Sequence, residues 1–262
     1  MTQRDLPRLV RRCRQCDYNA VMNEMNDMQK IFVTGTDTGV GKTYISCLLI
    51  RKLRQAGFTV GAYKPACSGA EFDSSGSPFW TDVASLHSAT GLDVPLDLVC
   101  PQRFLAAVAP NVAATLEHTT VSNKLLISGI SKWKHKADVL VIEGAGGVFC
   151  PLSDELTVLD LAIQIQAPVL VVAANRLGVI SHTRLTVDRL RQSGLHVAGI
   201  ILNELQEAGS GDASLESNFL QISHWLPDVA LLSAGFRSES IYMVHNDAAL
   251  TNSMLAQIID RI

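Results

Sequence analysis

The chain has 262 residues, of which 47% are hydrophobic and 18% charged, and its formal net charge is -3. This apolar content is enough for a sizeable core and argues against disorder. The small negative charge excludes the basic field that binds nucleic acid or an anionic membrane, and no apolar run reaches the ~20 residues that span a bilayer.

The first 28 residues differ from the rest. Their basic stretch "RDLPRLVRRCRQC" lacks the apolar region of ~7–15 residues that a secretory signal needs. We interpret residues 1–28 as an N-terminal extension that is disordered or not native, followed by one domain at residues 29–262. The alternative, an Arg-rich transit peptide, is weakened because such peptides contain few acids and this segment has Asp5, Asp17, Glu24 and Asp27.

Six cysteines are spread thinly along the chain, which fits reduced thiols and predicts a cytoplasmic protein. Cys13 and Cys16 form a C-x-x-C pair, but no second ligand pair follows at a spacing suited to zinc. We therefore expect neither a metal nor a redox function for this pair.

The predicted elements alternate between short apolar strands and helices. In chain order the strands are "KIFVTG", "TVGAYKP", "ADVLVIEGAGG", "PVLVVAAN" and "VAGIILNEL". The helix "TYISCLLIRKLRQAG" ends at Gly57, and the helix "SHTRLTVDRLRQSG" has Ser181 as N-cap and Gly194 as its stop. Continuous apolar strands joined by helices predict an α/β fold with a mostly parallel β-sheet flanked by helices.

Three segments are predicted as loops, at residues 69–79, 93–103 and 207–214. A further helix is expected to begin near Ser77–Pro78. In parallel sheets ligands bind at the carboxyl ends of the strands, so the residues after each strand carry the functional information.

The first functional motif is "GTDTGVGKT", which follows the first strand and opens a helix. It resembles the phosphate-binding pattern G-x-x-x-x-G-K-[ST], with one extra residue between Gly35 and Gly41. Backbone N–H groups and a helix N-terminus would hold phosphates, Lys42 would reach the terminal phosphates and Thr43 would bind Mg²⁺. The motif predicts a P-loop NTPase-like fold; the alternative is a glycine-rich turn without a ligand.

Lys64, in "YKPACSG", follows the second strand and is expected to point into the same cleft. A second lysine near Lys42 would favour a substrate with its own negative charge, and Ser68 could donate to that anion. A cation ~4 Å from an anion gains ~4 kcal/mol at an effective dielectric of ~20. The alternative is a surface lysine before a proline turn.

Glu143 ends the buried strand "VLVIEGAGG". A carboxylate there is costly unless it is paired or meets a metal, so Glu143 fits a Mg²⁺ ligand. The glycines that follow allow close backbone approach to a ligand. Asp82, considered by itself, would be a solvated acid in the first turn of a helix, where it stabilises the helix dipole. We expect a functional role for it only if it lies near Lys64 and Glu143.

Together these motifs resemble the dethiobiotin synthetase family, from about Ile31 to Asn203. The matching segments are "TGTDTGVGKT" with the same extra residue, "YKP…SG", an acid at Asp82, "EGAGG…PL", "LG…H…LT" from Leu177 to Thr186, and Asn203 after the late strand. The resemblance implies ATP-dependent carboxylation of 7,8-diaminononanoate with CO₂ and closure of a ureido ring, with Mg²⁺ as cofactor, in a homodimer.

The resemblance also implies roles for individual residues. Lys42 and Lys64 would be catalytic, and Mg²⁺ would be held by Thr43, Asp82 and Glu143. The nucleotide would contact Gly39, Val40, Gly41, Lys42, Thr43, Tyr44 and Asn203, with Asn203 on the adenine. The substrate would contact Thr38, Ser68, Gly146, Gly178 and Ser181, the last two receiving its carboxylate from across the dimer interface.

The chain departs from the family pattern at three places. Arg176 and Ser181 stand where the family often has lysine and asparagine, and residues 231–240 do not match the G-x-I-P segment around the adenine. A MinD- or ParA-like switch ATPase is one alternative, but its early loop lysine is replaced by Asp37. A second alternative is the related cobyrinate amidase group, whose members add a glutamine amidotransferase domain for which 262 residues are too few. A third is a homologue that binds nucleotide without turnover, which the intact Lys42, Thr43, Lys64, Asp82 and Glu143 argue against.

Overall fold

A computed structural model describes residues 28–207 and 214–243. The predicted extension lies outside these residues except for Met28, which is buried against the core. Cys13 and Cys16, and most of the loop expected at 207–214, also lie outside them. No helix in the described part of the chain is long and apolar enough to cross a membrane.

A seven-stranded sheet forms the centre of the described residues. Its strands are β1 Gln29–Gly35, β2 Val60–Tyr63, β7 Val139–Gly147, β8 Val169–Ala174, β9 Val197–Asn203, β10 Leu231–Ala234 and β11 Tyr242–Met243. They lie side by side in the order β11-β10-β9-β8-β1-β7-β2. All neighbours are parallel except β10 and β11. The prediction of a mostly parallel α/β sheet is confirmed.

The helices cover the sheet and hide its strands from solvent. They are α1 Lys42–Gln55, α2 Thr81–Thr90, α3 Leu96–Val99, α4 Pro110–Leu116, α5 Asn123–Ser131, α6 Val158–Ile165, α7 Val179–Gln192 and α8 Ser214–Trp225. Every residue of β8 and β9 is buried, which explains why these strands are continuous apolar runs without a polar face.

Two expected loops contain regular structure. Residues 69–79 include a hairpin of β4 Glu71–Phe72 and β5 Pro78–Phe79. Residues 93–103 include α3 and the start of β6 Arg103–Phe104, and β6 pairs with β3 Cys67–Ser68. The Asp73 carboxylate closes the hairpin by accepting from the backbone N–H groups of Ser75 and Ser77. The prediction of a helix start near Ser77–Pro78 is therefore wrong, since the hairpin holds Pro78 and α2 begins at Thr81.

The predicted N-cap of α7 is also wrong. The helix begins at Val179, and its N-cap is Gly178 with a left-handed φ of 92°. Ser181 therefore lies within the first turn, as the third residue of the helix, and is not its N-cap. Glycine can occupy this position because it reaches positive φ without a steric penalty, and the serine signal drew the predicted start three residues too late.

The parallel arrangement brings the ends of β1, β2, β7, β8 and β9 to one edge of the sheet. The segments that follow these strands carry most of the residues singled out in the sequence. The fold thus concentrates at one edge groups that are far apart along the chain.

Candidate active site

A cavity of about 530 Å³ opens at the carboxyl edge of the sheet. Its lining residues are Thr38, Gly39, Gly41, Lys42, Thr43, Lys64, Cys67, Ser68, Asp82, Ala107, Val108, Ala109, Pro110, Ala145, Gly146 and Cys150. The segments after β1, β2 and β7 therefore meet in one space, together with the chain that leads into α4.

The loop between β1 and α1 is shaped by glycines. Gly39 and Gly41 adopt φ of 72° and 90°, which only glycine reaches freely, and Gly41 is the N-cap of α1 without a side-chain cap among the described residues. The first N–H groups of a helix have no partner within it, so this helix start is suited to an anion. Lys42 lines the cavity, and its Nζ donates to the Asp37 carbonyl of the loop at 3.0 Å.

A buried cluster of charges lies beside the loop. The Lys64 Nζ is 2.5 Å from Asp82 Oδ2 and 2.8 Å from Glu143 Oε1. The Glu143 carboxylate also accepts from the hydroxyls of Thr43 and Ser46, both at 2.7 Å. Lys64 and Glu143 are only 5% and 1% exposed, so their charges are compensated by partners rather than by water.

The charges around them keep Lys64 and Asp82 ionised. Burial alone would lower the pKa of Lys64, but the Glu143 and Asp82 carboxylates outweigh burial and raise that pKa. Burial would raise the pKa of Asp82, but the Lys64 ammonium outweighs it and holds that pKa below its usual range. Burial lowers the pKa of Lys42, and Glu143 offsets this only in part.

The oxygen atoms of this cluster fit a magnesium ion. Thr43, Asp82 and Glu143 present one hydroxyl and two carboxylates, which are hard oxygen ligands. Mg²⁺ commonly binds one or two carboxylates together with substrate phosphates, and the phosphate-binding loop is adjacent. In this structure the Lys64 ammonium provides the positive charge between the two carboxylates.

Another part of the cavity wall consists of small and polar groups. A Cβ added at Gly146 would lie 3.3 Å from Thr38 Oγ1 and 3.0 Å from Cys150 Cβ, so these three residues adjoin. The Ser68 hydroxyl donates to the Val108 carbonyl at 2.5 Å, and it would have to turn from Val108 to donate to an anion. Burial raises the pKa of the Cys67 thiol to about 11, which disfavours a reactive thiolate there.

Two further side chains connect the loop to the C-terminal part of the sheet. Asn203 donates from Nδ2 to the Val40 carbonyl at 3.0 Å, and its buried Oδ1 has no hydrogen-bond partner among the described residues. The Tyr44 hydroxyl donates to the Ser238 carbonyl. The segment that departs from the family pattern is therefore attached to the first turn of α1.

Comparison with known proteins identifies the family. A family model described as an AAA domain matches residues 29–239. The ATP-dependent dethiobiotin synthetase BioD of Rhodopirellula baltica is 39% identical over 211 residues, which are 76% of this chain and 82% of that protein. The ATP-dependent dethiobiotin synthetase BioD of Anaeromyxobacter sp. (strain Fw109-5) is 41% identical over 196 residues, 75% of this chain and 85% of that protein.

The chain belongs to the dethiobiotin synthetase family. The resemblance predicted from the motifs is thereby confirmed. A solved structure of the septum site-determining protein MinD from Pyrococcus horikoshii, complexed with Mg-ADP, is 18% identical, covers 79% of this chain and 81% of that chain, and has a TM-score of 0.44. A TM-score of 0.44 is too low to support a conclusion about this member of the dethiobiotin synthetase family.

The structure brings together most of the residues to which the family resemblance gave a role. Nine predicted residues line the main cavity: Thr38, Gly39, Gly41, Lys42, Thr43, Lys64, Ser68, Asp82 and Gly146. Val40, Tyr44 and Asn203 lie behind the loop or beside it. Their individual roles stay predictions.

Gly178 and Ser181 do not lie at this cavity. They border a separate cavity of about 440 Å³ at the start of α7, lined also by Leu177, Ile180, Arg184, Leu185, Asp188 and Asn218. Within one copy of the chain they are therefore not part of the main site. This placement agrees with their predicted position across a dimer interface, which stays a prediction.

Sequence reasoning missed Ser46, the wall at residues 107–110 and the lining residues Cys67, Ala145 and Cys150. Ser46, which donates to Glu143, follows Thr43 by three residues, so its place on the same face of α1 could have been read from helical spacing. The wall at residues 107–110 carries no chemical signal, because its alanines, valine and proline contribute shape alone. Only the folded chain shows that this segment closes the cavity.

Proposed function

We propose that this protein is an ATP- and Mg²⁺-dependent synthetase that carboxylates 7,8-diaminononanoate with CO₂ and closes the ureido ring of dethiobiotin. Family membership supports this activity. The observation that carries it is the second lysine, Lys64, beside the phosphate-loop lysine in one cavity. Switch ATPases place their second lysine early in the loop, where this chain has Asp37, whereas Lys64 follows the second strand. A cation in that place suits a reaction between two anions.

The reaction would proceed in three steps. One amine attacks CO₂ and loses a proton, giving a carbamate. A carbamate oxygen attacks the γ-phosphorus of ATP, the bond to ADP breaks, and a carbamic–phosphoric anhydride forms. The second amine attacks the carbonyl carbon and loses a proton, the carbon–oxygen bond to phosphate breaks, and the five-membered ring closes.

The residues of the cavity suit the second step in particular. A carbamate and a triphosphate repel each other, and Lys42 and Lys64, which line the same cavity, would supply two positive charges to offset that repulsion. Thr38, Ser68 and Gly146 form the polar wall that would hold the carbamate. Bound Mg²⁺, held by Thr43, Asp82 and Glu143, would neutralise charge on the phosphates.

Lys64 would change partners during the reaction. In this structure its ammonium shares Glu143 Oε1 with the Thr43 hydroxyl, at the edge of the proposed metal site. Lys64 lines the same cavity as the residues that would bind the carbamate, and it is already charged because the carboxylates raise its pKa. Positioning and electrostatics of this kind are the main protein contributions to phosphoryl transfer.

The proposal includes a homodimer in the cytoplasm. The α7 start of one copy would receive the substrate carboxylate of the other copy, through Gly178 and Ser181. Exposed Leu177 and Leu185 border that start and supply apolar surface for association. Asn203 would contact adenine, and its unpartnered acceptor oxygen suits the amino group of that base.

The test is ATP turnover with and without 7,8-diaminononanoate and bicarbonate, with dethiobiotin detected by mass spectrometry. We expect phosphate release that requires both the diamine and bicarbonate and that equals the dethiobiotin formed. Hydrolysis that is indifferent to the diamine would contradict the proposal and favour a switch ATPase.

A further inference from the structure

Three buried asparagines lie between the phosphate loop and the start of α7. Asn175, Asn203 and Asn218 are 5%, 3% and 2% exposed. Buried amides are tolerated where they find hydrogen-bond partners, so the partners show what each amide holds in place.

Asn218 fixes the turn that precedes α7. Its Nδ2 donates to Asn175 Oδ1 at 2.9 Å and to the Arg176 carbonyl at 3.3 Å. The same Arg176 carbonyl accepts from the backbone N–H of Val179, the first residue of α7, at 3.1 Å. One carbonyl thus connects a side chain of α8 to the first residue of α7.

Asn175 connects this turn to α8 and to the phosphate loop. Its Nδ2 donates to the Leu215 carbonyl at 3.2 Å, and its backbone N–H donates to the Asn203 carbonyl at 2.8 Å. Asn203 in turn donates to the Val40 carbonyl of the loop. A continuous path of hydrogen bonds therefore runs from the nucleotide loop to the helix start.

The side chain of Arg176 makes a second connection across the surface. Its Nη2 is 3.5 Å from Asp37 Oδ2 of the loop, and both side chains are about half exposed. An exposed pair at this distance contributes little energy. The buried asparagines, rather than this ion pair, are the groups able to fix the turn.

We infer that Asn175 and Asn218 are positioning residues for the substrate carboxylate. They act through Arg176 to fix the first turn of α7, which the proposed function assigns to that carboxylate, and the inference rests on that function. Asn218 also lines the cavity beside Gly178 and Ser181. A helix start that is free to shift would bind the carboxylate less well, since misplacement of even ~1 Å is costly in an enzyme site.

The first variant is Asn218→Leu, which keeps the volume and removes the donor. We expect the KM for the diamine to rise about tenfold, with the KM for ATP and kcat close to wild type, because only substrate positioning is disturbed. The control is Asn123→Leu, which removes an amide that donates to the exposed Glu155 carboxylate at 2.8 Å and should leave the KM for the diamine unchanged.

A double variant separates positioning from stability. Asn218→Leu leaves Asn175 Oδ1 without its donor, which destabilises the fold, whereas replacing both partners by apolar groups can be nearly neutral. Asn175→Val combined with Asn218→Leu removes the unpaired Oδ1, although the Leu215 and Arg176 carbonyls still lose an amide donor. The double variant should therefore recover part of the lost thermal stability while its KM for the diamine stays raised. If thermal stability and the KM for the diamine recover together in the double variant, the role of the two asparagines is purely structural and the inference is overturned.

The wild-type protein distinguishes this inference from the proposed function. If it forms dethiobiotin and the variants keep a normal KM for the diamine, the positioning role is wrong and the function stands. If it forms no dethiobiotin, the proposed function fails and this inference fails with it.

Discussion

Lys64 is a cation buried among opposite charges, and its energetics follow from that position. Its ammonium has lost most of its water, and two carboxylates replace it at 2.5 and 2.8 Å. Such an arrangement is a poor source of net stability, because desolvation offsets most of the attraction. Because desolvation of Lys64 costs free energy, a catalytic role explains its charge in the cavity better than a contribution to folding does.

We predict that Lys64→Ala abolishes ring formation while ATP still binds. Activity should fall at least ~100-fold, as expected on loss of an electrostatic contact to the reacting groups. Stability should fall by about 3 kcal/mol, since Glu143 would stay buried without a cation. Dethiobiotin formation, ATP titration and urea unfolding measure the three effects, with the exposed Lys124→Ala as control. Normal turnover in Lys64→Ala would refute its catalytic role.

We predict that Glu143→Gln raises the Mg²⁺ concentration needed for half-maximal activity by about tenfold, the lower end of the range for changes around a metal ligand. The amide keeps the shape of the side chain and removes its charge. A Mg²⁺ titration of dethiobiotin formation measures this, with Glu155→Gln, outside the cavity, as control. An unchanged Mg²⁺ requirement would exclude Glu143 as a ligand.

Among the elements, the loop between β1 and α1 depends most on glycine. A Cβ at Gly41 would lie 2.1 Å from Asn203 Nδ2, whereas a Cβ at Gly39 would meet nothing within 4 Å. Both residues have left-handed φ, so both resist substitution for backbone reasons. They differ only in whether β9 packs against them.

This difference predicts the outcome of two matched variants. Gly39→Ala should lower stability by roughly 1–2 kcal/mol, the penalty for a left-handed residue with a Cβ. Gly41→Ala should lower it further, because Asn203 must move and release the Val40 carbonyl. Thermal unfolding without nucleotide compares them, and equal losses would show that Asn203 is not held against the loop.

Helix α6 is fixed at its start and packs on the strand that carries Glu143. Thr157 and Asp160 form a capping box, and a Cβ at Gly144 would lie 2.8 Å from Val158 Cγ1. Hydrogen bonds from the Thr157 side chain and backbone lower the pKa of Asp160. The carboxylate form is therefore the one that stabilises the helix.

We predict that Asp160→Asn lowers stability at pH 7 by about 0.5–1 kcal/mol, in line with a carboxylate at a helix N-terminus. A carboxyl with a lowered folded pKa contributes stability above its unfolded pKa of about 3.9, and that contribution is lost as pH falls through the folded pKa. The difference between the two proteins should therefore shrink below about pH 4. Urea unfolding at several pH values checks this, and a constant difference would contradict it.

For the whole molecule, the central question is whether two copies complete one site. Leu177, Leu185 and Phe149 are 82%, 67% and 62% exposed. Both leucines border the cavity at the start of α7, which is separate from the main cavity. A second copy that covered this apolar surface could bring the helix start to the substrate.

We predict that Leu185→Asp shifts the protein to monomers at micromolar concentration and lowers dethiobiotin formation together with the dimer fraction. Sedimentation velocity and activity over a concentration series measure both. Leu116→Asp, at a leucine 62% exposed in α4, is the matched control. A monomeric variant with full activity would show that one copy contains the whole site.

Much of this arrangement could be predicted from the sequence, because local patterns specify strand ends. The runs before Gly35, Lys64 and Glu143 mark buried parallel strands, and parallel strands place their carboxyl ends at one edge. The glycine-rich loop could likewise be predicted, because a strand directly precedes it and a helix directly follows it in the sequence. Residue type and position along the chain were therefore enough to assemble most of the candidate site.

Other features depended on the tertiary structure. Lys64 and Glu143 are 79 residues apart, Asn218 and Asn175 are 43 apart, and no local pattern predicts their contacts. The cap at Gly178 and the hairpin at residues 71–79 were missed because backbone conformation and turn hydrogen bonds decided them, against the serine and proline signals. The sequence by itself determined which groups face the edge of the sheet. Packing of distant elements decided which of those groups touch, because that packing depends on the whole core rather than on any one segment.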